Sequence, residues 1–165
     1  KAIGIERKSV KNAKFEKDYF DLIVMKEVLE HIPDPKQTLL KCKSWLKKGG
    51  KLIIVVPNGE GLGAKFFKNN WYGYDVPRHV YTYNSKSISF MLNKLGFKVN
   101  KIKNYDLPYM IDGSLKFSSV DKSKGKKKNH NIIFSNFSKL LFAPLSLIAT
   151  YLKLGSIIEV EAERI

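Results

Sequence analysis

The residues that could do chemistry gather in two short stretches. In Met25-Lys26-Glu27-Val28-Leu29-Glu30-His31, carboxylates and an imidazole follow directly on the apolar run Leu22-Ile23-Val24. Side chains of this kind can take or give a proton. Glu27 and His31 stand at i and i+4, so they share a face if that turn is helical. The same pair could equally cap or pair locally. The second stretch, Trp71 to Tyr83, holds six aromatic or His side chains around Pro77 and Arg78. Such density suits a lid folded onto the core. It also suits a substrate wall in which the aromatics give area and Arg78 or His79 gives polarity. No metal site is expected: E-V-L-E-H is not the H-E-x-x-H zinc signature, and only one His lies in that neighbourhood.

These residues need elements to position them. Leu22 to Met25 reads as a buried strand that opens into the first stretch. Asp34 offers an N-cap with Pro35 at the first helical position, and Leu39, Cys42 and Leu46 fall on one helical face. Gly49-Gly50 offers a left-handed stop. A second apolar run, Leu52 to Val56, closes at Pro57. Strand, helix and strand, with both strands apolar on both faces, predict a βαβ crossover in a parallel sheet. Such sheets bind ligands beyond the carboxyl ends of their strands, which here places Met25 to His31 and Pro57 to Gly61 at the ligand edge.

The rest of the chain reads more unevenly. Gly59, Gly61 and Gly63 fit a flexible loop after a strand better than a phosphate loop. Ala64 to Lys68 suits a short helical turn. Asn84 or Ser85 caps a helix with the stripe Ile88, Met91, Leu92 and Leu95, ended by Gly96, and Phe97 to Ile102 alternates as a strand. Asp106 to Ser119 reads as loop, and residues 121–131 as a mobile basic loop with no apolar residue. Phe134 to Leu154 is apolar but interrupted by Lys139, Pro144 and Lys153, too short between its lysines to span a bilayer of roughly 20 helical residues. A helix packed on the sheet is expected there, with interfacial membrane contact as the alternative. Ser156 to Ile165 alternates Ile158, Val160 and Ala162 with Glu159, Glu161 and Glu163, a terminal strand predicted antiparallel at or near a sheet edge.

The 165 residues suit a single domain with a real core. The formal charge of +15 comes almost wholly from Lys, with Arg only at 7, 78 and 164. Readers of nucleic acid lean on the Arg fork, so no specific nucleic-acid partner is expected, whereas a weak pull toward an anionic membrane is. Cys42 cannot form an internal disulfide and reads as a small core residue. The charged first residues do not resemble a signal peptide, which points to a cytoplasmic setting.

FDLIVMKEVLEHIPDP, followed about 20 residues later by LKKGGKLIIVVPN, resembles the fourth and fifth strands of class I S-adenosylmethionine-dependent methyltransferases. WYGYDVPRHVYTYNSKSISFMLNKLGFKV resembles the next segment of the type 11 and type 23 subgroup, which methylates small molecules such as quinone precursors and sugars. The resemblance covers Phe20 to Ile102. It implies an α/β, Rossmann-like three-layer sandwich with a mostly parallel sheet, an inserted antiparallel C-terminal strand and an N-terminally incomplete domain over 1–165. It further implies S-adenosylmethionine as cofactor and a small-molecule acceptor. Met25, Lys26 and Glu27 would line the adenosyl side, with His31 nearby. Arg78 and His79 match the subgroup's P-R-H and would face the acceptor, His79 as base. Glu6 would bind the cofactor ribose if KAIGIE is the second strand. The 13 residues between Glu6 and Phe20 are few for that, and favour the third strand or a deletion. No G-x-G-x-x-G follows a strand, so weak cofactor binding or none is expected, and a chain that is at best a partial catalyst. The rival reading from another class is a non-enzymatic methyltransferase-like remnant that binds a partner or a membrane surface; a basic nucleic-acid binder ranks behind it.

Overall fold

The structure, a computed structural model, describes residues 8–118 and 132–165. Glu6 and the basic segment 121–131 lie outside the described residues. Four strands form one sheet in the order β1-β2-β4-β3, with β1 at Phe20–Lys26, β2 at Leu46–Pro57, β3 at Phe97–Tyr105 and β4 at Ile157–Arg164. β1 and β2 pair in parallel, Ile23 opposite Leu52 and Met25 opposite Ile54. β4 runs antiparallel between β2 and β3. It is therefore antiparallel as expected but paired on both sides, and the edge position falls to β3.

Helices α1 (Pro35–Trp45) and α3 (Ser85–Lys94) cover one face of the sheet. Successive residues of a strand point to opposite faces. Leu52, Ile54 and Val56 of β2 and Ile158, Val160 and Ala162 of β4 accordingly join Leu39, Cys42, Ile88, Leu92 and Phe97 in the main core. Each fully buried Leu or Ile contributes roughly 1.5–3 kcal/mol. On the other face lie α2 (Leu62–Phe67), α4 (Pro108–Ser118) and α5 (Ile132–Tyr151), packed over a smaller cluster of Val55, Ala64, Trp71, Met110 and Ile157. Layers on both faces of a mostly parallel sheet make the three-layer α/β architecture.

The helix starts follow their caps. Asp34 accepts from the Gln37 amide at 3.0 Å with Pro35 at the first position, and Asn84 and Ser87 form a reciprocal capping box. The expected stop at Gly49-Gly50 is not where α1 ends. Trp45 is its last residue, Leu46 is already extended, and the left-handed Gly49 (φ 74°) lies inside β2. Leu46 is still fully buried with Leu39, but from the strand.

Two further expectations change. Residues 106–118 are not a loop: Pro108 opens α4, where Met110, Ile111 and Ser114 are buried. The glycines after β2 are not slack either. A Cβ on Gly61 would meet the Gly155 carbonyl oxygen at 2.6 Å, and one on Gly63 the Ser156 hydroxyl at 2.5 Å. The chain crosses itself there at a distance only glycine permits. Among the described residues, no helix is long and apolar enough to cross a membrane.

Candidate active site

The site lies beyond the carboxyl ends of β1 and β2, at the edge expected of such a sheet. β1 ends at Lys26. Glu27 then takes a left-handed conformation (φ 53°), its amide donating to the Val55 carbonyl at 2.9 Å, and a 3-10 turn over Leu29–His31 follows. This kink keeps Glu27 and His31 from sharing a helical face. Glu27 turns instead to α4, where the Tyr109 hydroxyl donates to its Oε1 at 2.7 Å. Burial and that hydrogen bond to Glu27 both push the Tyr109 hydroxyl pKa up.

Glu30 turns inward and is 1% exposed. Its backbone carbonyl accepts from the amides of Val80 at 2.8 Å and Tyr81 at 3.2 Å, which pins the second chemical stretch above the first. The Tyr81 hydroxyl adds a bond to the Pro33 carbonyl at 3.1 Å. The second stretch is itself seated by packing. Trp71 is buried, and Gly73 sits so close that a Cβ would meet the Trp71 ring at 2.4 Å. The Tyr72 amide donates to the Ser114 hydroxyl at 2.9 Å. The stretch thus packs and lines at once: Trp71 is in the core while Tyr72, Gly73, Asp75, Arg78 and His79 line a cavity.

That cavity has a volume of about 200 Å³ and is closed on the sheet side by Glu27, Glu30, His31, Pro57 and Tyr109. Two imidazoles stand in it as an edge-to-face pair, ring centroids 4.6 Å apart. The His31 Nδ1–H donates to the Arg78 carbonyl at 2.9 Å and the His79 Nδ1–H to the Gly73 carbonyl at 2.7 Å. Each Nε2 therefore faces Glu30, His31 at 3.9 Å and His79 at 4.0 Å from its Oε1. Burial raises the Glu30 pKa, opposed by its own backbone amide, which lies near the carboxylate but outside hydrogen-bonding geometry, and by the two imidazoles. Neither Glu30 oxygen has a hydrogen-bond partner.

The sequence-predicted residues are distributed unequally around this centre. His31 and His79 meet in it. Arg78 contributes its backbone carbonyl, while its side chain is largely exposed and paired with Asp75 at 2.6 Å. Glu27 lies between this cavity and a larger one of about 1160 Å³, lined by Val28, His31, Ile32, Asp34, Gln37 and Thr38 among others. Met25 is buried in the main core and lines neither of these two cavities, and Lys26 is exposed. Glu30 and Tyr109 were not singled out as site residues. Nothing in an apolar-polar pattern marks a Glu for burial, and Tyr109 lay in a segment read as loop.

A methyltransferase-domain family model matches residues 2–102 of the chain. The chain belongs to that family. Its fold is that of the class I S-adenosylmethionine-dependent methyltransferases: a Thermotoga maritima member superposes with a TM-score of 0.58 over 96% of this chain and 62% of its own, at 14% identity. One from Archaeoglobus fulgidus gives 0.55 over 94% and 63%, at 20% identity. The [4+2]-cyclase SpnF gives 0.53 over 94% and 54%, at 11% identity, so the fold alone does not fix the reaction. Among curated relatives, phosphoethanolamine N-methyltransferase 2 of Caenorhabditis elegans is 31% identical over 83 residues, half of this chain and 18% of that protein. Ubiquinone biosynthesis O-methyltransferase of Coxiella burnetii is 44% identical over 39 residues, 24% of this chain and 17% of that protein. The chain thus spans less than a fifth of either relative's length.

The described residues fit the adenosyl end of S-adenosylmethionine. The larger cavity offers apolar Val28 and Ile32 beside polar Asp34, Gln37 and Thr38, and it shares Glu27 and His31 with the histidine cavity. Gly59, Gly61 and Gly63 are occupied by contacts within the chain and supply no cradle for the amino-acid end.

Proposed function

We propose that this chain carries the acceptor side, and part of the cofactor side, of an S-adenosylmethionine-dependent methyltransferase acting on a small molecule of the quinone-precursor or sugar type. The observation that carries the reading is that the two cavities share Glu27 and His31 as walls, with His79 lining the smaller one. The cofactor supplies a sulfonium methyl group. Transferred to an acceptor oxygen or nitrogen, that methyl would leave its bonding pair on sulfur, and the acceptor would give up a proton. Proximity and orientation supply much of such a reaction. Glu27, fixed by Tyr109, positions the cofactor end of the shared wall. His31 and His79, each locked through Nδ1 to a carbonyl, line the smaller cavity with Nε2 beside Glu30, and this cluster is placed to receive the acceptor's proton.

Equilibrium dialysis against labelled S-adenosylhomocysteine tests the cofactor half. Weak, saturable binding is expected, since bonds to the ligand's charged amino-acid end, each worth roughly 1.5–3 kcal/mol, have few donors in the described residues. Glu27→Ala should weaken it about tenfold further. Binding indifferent to that change, or none at millimolar ligand, defeats the reading.

A second reading, peripheral contact with an anionic membrane, is supported by the outward face of α5. Leu140, Leu147 and Tyr151 are 74%, 70% and 87% exposed, whereas Ser146 and Ala149 are buried. An apolar outer face on a chain of charge +15 suits an anionic lipid surface.

A further inference from the structure

Glu30 is a carboxylate enclosed by the fold with neither oxygen hydrogen-bonded. Burying a charge costs several kcal/mol unless something compensates it. The two nearest groups do not do so as they stand. Both imidazoles have committed Nδ1–H to a backbone carbonyl, so in the neutral ring Nε2 is a lone pair, and three electron-rich atoms face one another. A protonated imidazole would relieve this by donating to Glu30, but 3.9 and 4.0 Å exceed hydrogen-bond length.

We propose that Glu30, His31 and His79 form a binding site for a divalent transition-metal ion of the Zn²⁺ type. Their donor atoms all lie within 4.8 Å of one another. Tetrahedral zinc bonds of about 2.0–2.2 Å to His nitrogen and carboxylate oxygen set the ligand atoms about 3.3–3.6 Å apart, so the imidazoles, now 3.9 and 4.0 Å from Glu30, need to close on it by roughly half an ångström, a side-chain adjustment. The Nδ1–H bonds to carbonyls are the second, independent sign. Histidines that ligate metal almost always anchor the far ring nitrogen in this way, which fixes the tautomer and aims the ligating atom. Two imidazoles and one carboxylate suit Zn²⁺ and its first-row neighbours rather than Ca²⁺ or Mg²⁺.

The elements explain why the site escapes a linear reading. Glu30 and His31 come from the turn after β1, and His79 from a segment nearly fifty residues on, brought back by the clamp of Val80 and Tyr81 amides on the Glu30 carbonyl. Three protein ligands leave a coordination position open toward the cavity of about 200 Å³. An acceptor oxygen bound there would be held and made more acidic, with His79 acting as ligand rather than as direct base. That use rests on the methyl-transfer reading; binding of the ion does not.

The test therefore reads binding alone, without cofactor or acceptor. Chelator-treated chain is titrated with Zn²⁺ by calorimetry and with Co²⁺ by visible absorption. One ion per chain is expected, with Co²⁺ bands that Zn²⁺ abolishes. His79→Asn and His31→Asn, which keep a donor near the Nδ1 position and remove Nε2, should each weaken Zn²⁺ at least tenfold while circular dichroism stays unchanged. His31 is the safer of the two, being 40% exposed. His130→Asn, at the remaining histidine, should leave affinity as it was. No stoichiometric binding, binding that survives both site variants, or binding lost with His130→Asn alone overturns the proposal.

Discussion

The two faces of the sheet are built from the same strands and differ in almost everything else. On the α1/α3 face, alternate residues of β2 and β4 bury Leu52, Ile54, Val56, Ile158, Val160 and Ala162 against helices whose inner sides are aliphatic. On the other face the intervening residues of β4 are Glu159 and Glu161, paired across strands with Lys103 at 2.6 Å and Lys51 at 2.8 Å. Leu22 and Val24 of β1 are half exposed on that side. Helices α4 and α5 cover it only near the carboxyl end of β2, through Trp71, Met110 and polar contacts such as the Ser156 hydroxyl to Asp106. One face holds the fold together, and the other is specialised around the site and a surface.

The largest expected effects test that division directly. Leu92→Ala, in a fully buried position of α3, should cost about 2–5 kcal/mol. Leu22→Ala removes a similar side chain from a strand position that is 48% exposed and should cost well under half as much. Urea denaturation of the two variants measures both. Equal losses would mean that the faces share the load and would erase the contrast.

A smaller effect concerns how the second face buries charge. Asp106 joins β3 to α4, accepting from the Leu107 amide at 2.8 Å and the Ser156 hydroxyl at 3.2 Å. Burial raises its pKa from the ordinary 3.8, only partly opposed by those hydrogen bonds. A carboxyl raised on folding contributes stability below its unfolded pKa and loses that contribution as pH rises through the folded value. Wild type should therefore lose ground to Asp106→Asn between pH 3 and pH 7. Melting temperatures of the pair across that range should diverge in favour of the variant. A constant gap would show that the hydrogen bonds cancel the burial, and a gap that moves toward wild type that they outweigh it.

The same contrast decides what could be read from sequence. The α1/α3 face was legible because its determinants are local. Asp34 and Pro35 start a helix wherever they precede such a stripe, Asn84 does likewise, and the alternation of Ile158 to Ala162 with glutamates fixes which side of β4 is inside. The other face is held by partners distant in the chain. Tyr109 meets Glu27 across 82 residues, and Gly61 is small because Gly155 passes it. The stretch 108–118 lacked a clean stripe because α4 buries Asp112 and Ser114 beside Met110 and Ile111, so its period is blurred. The site divides the same way. His31 and His79 were visible as chemistry-bearing residues, but Glu30 became important only once the Val80 and Tyr81 amides brought His79 over it.

The smallest effect on stability carries the most information about the second face. Among the described side chains of α5, the buried positions Ser146 and Ala149 are small, while Leu140, Leu141, Leu145, Leu147 and Ile148 are all exposed. This reverses the arrangement of a helix packed solely for stability, whose apolar stripe faces the core. Replacing Leu140 and Leu147 together by Ser removes little buried surface, so stability should change by no more than about 0.5 kcal/mol at each position. If the outward face meets lipid, the same double variant should lose binding to liposomes rich in anionic lipid. Wild type should bind those liposomes in a salt-sensitive manner, because flanking lysines contribute only within a screening length of the surface. Sedimentation at low and high salt separates the outcomes. Wild-type binding no stronger to anionic than to neutral liposomes retires the membrane reading. A large loss of stability in the variant would instead show that these leucines pack against the protein, and would make the two faces more alike than they look.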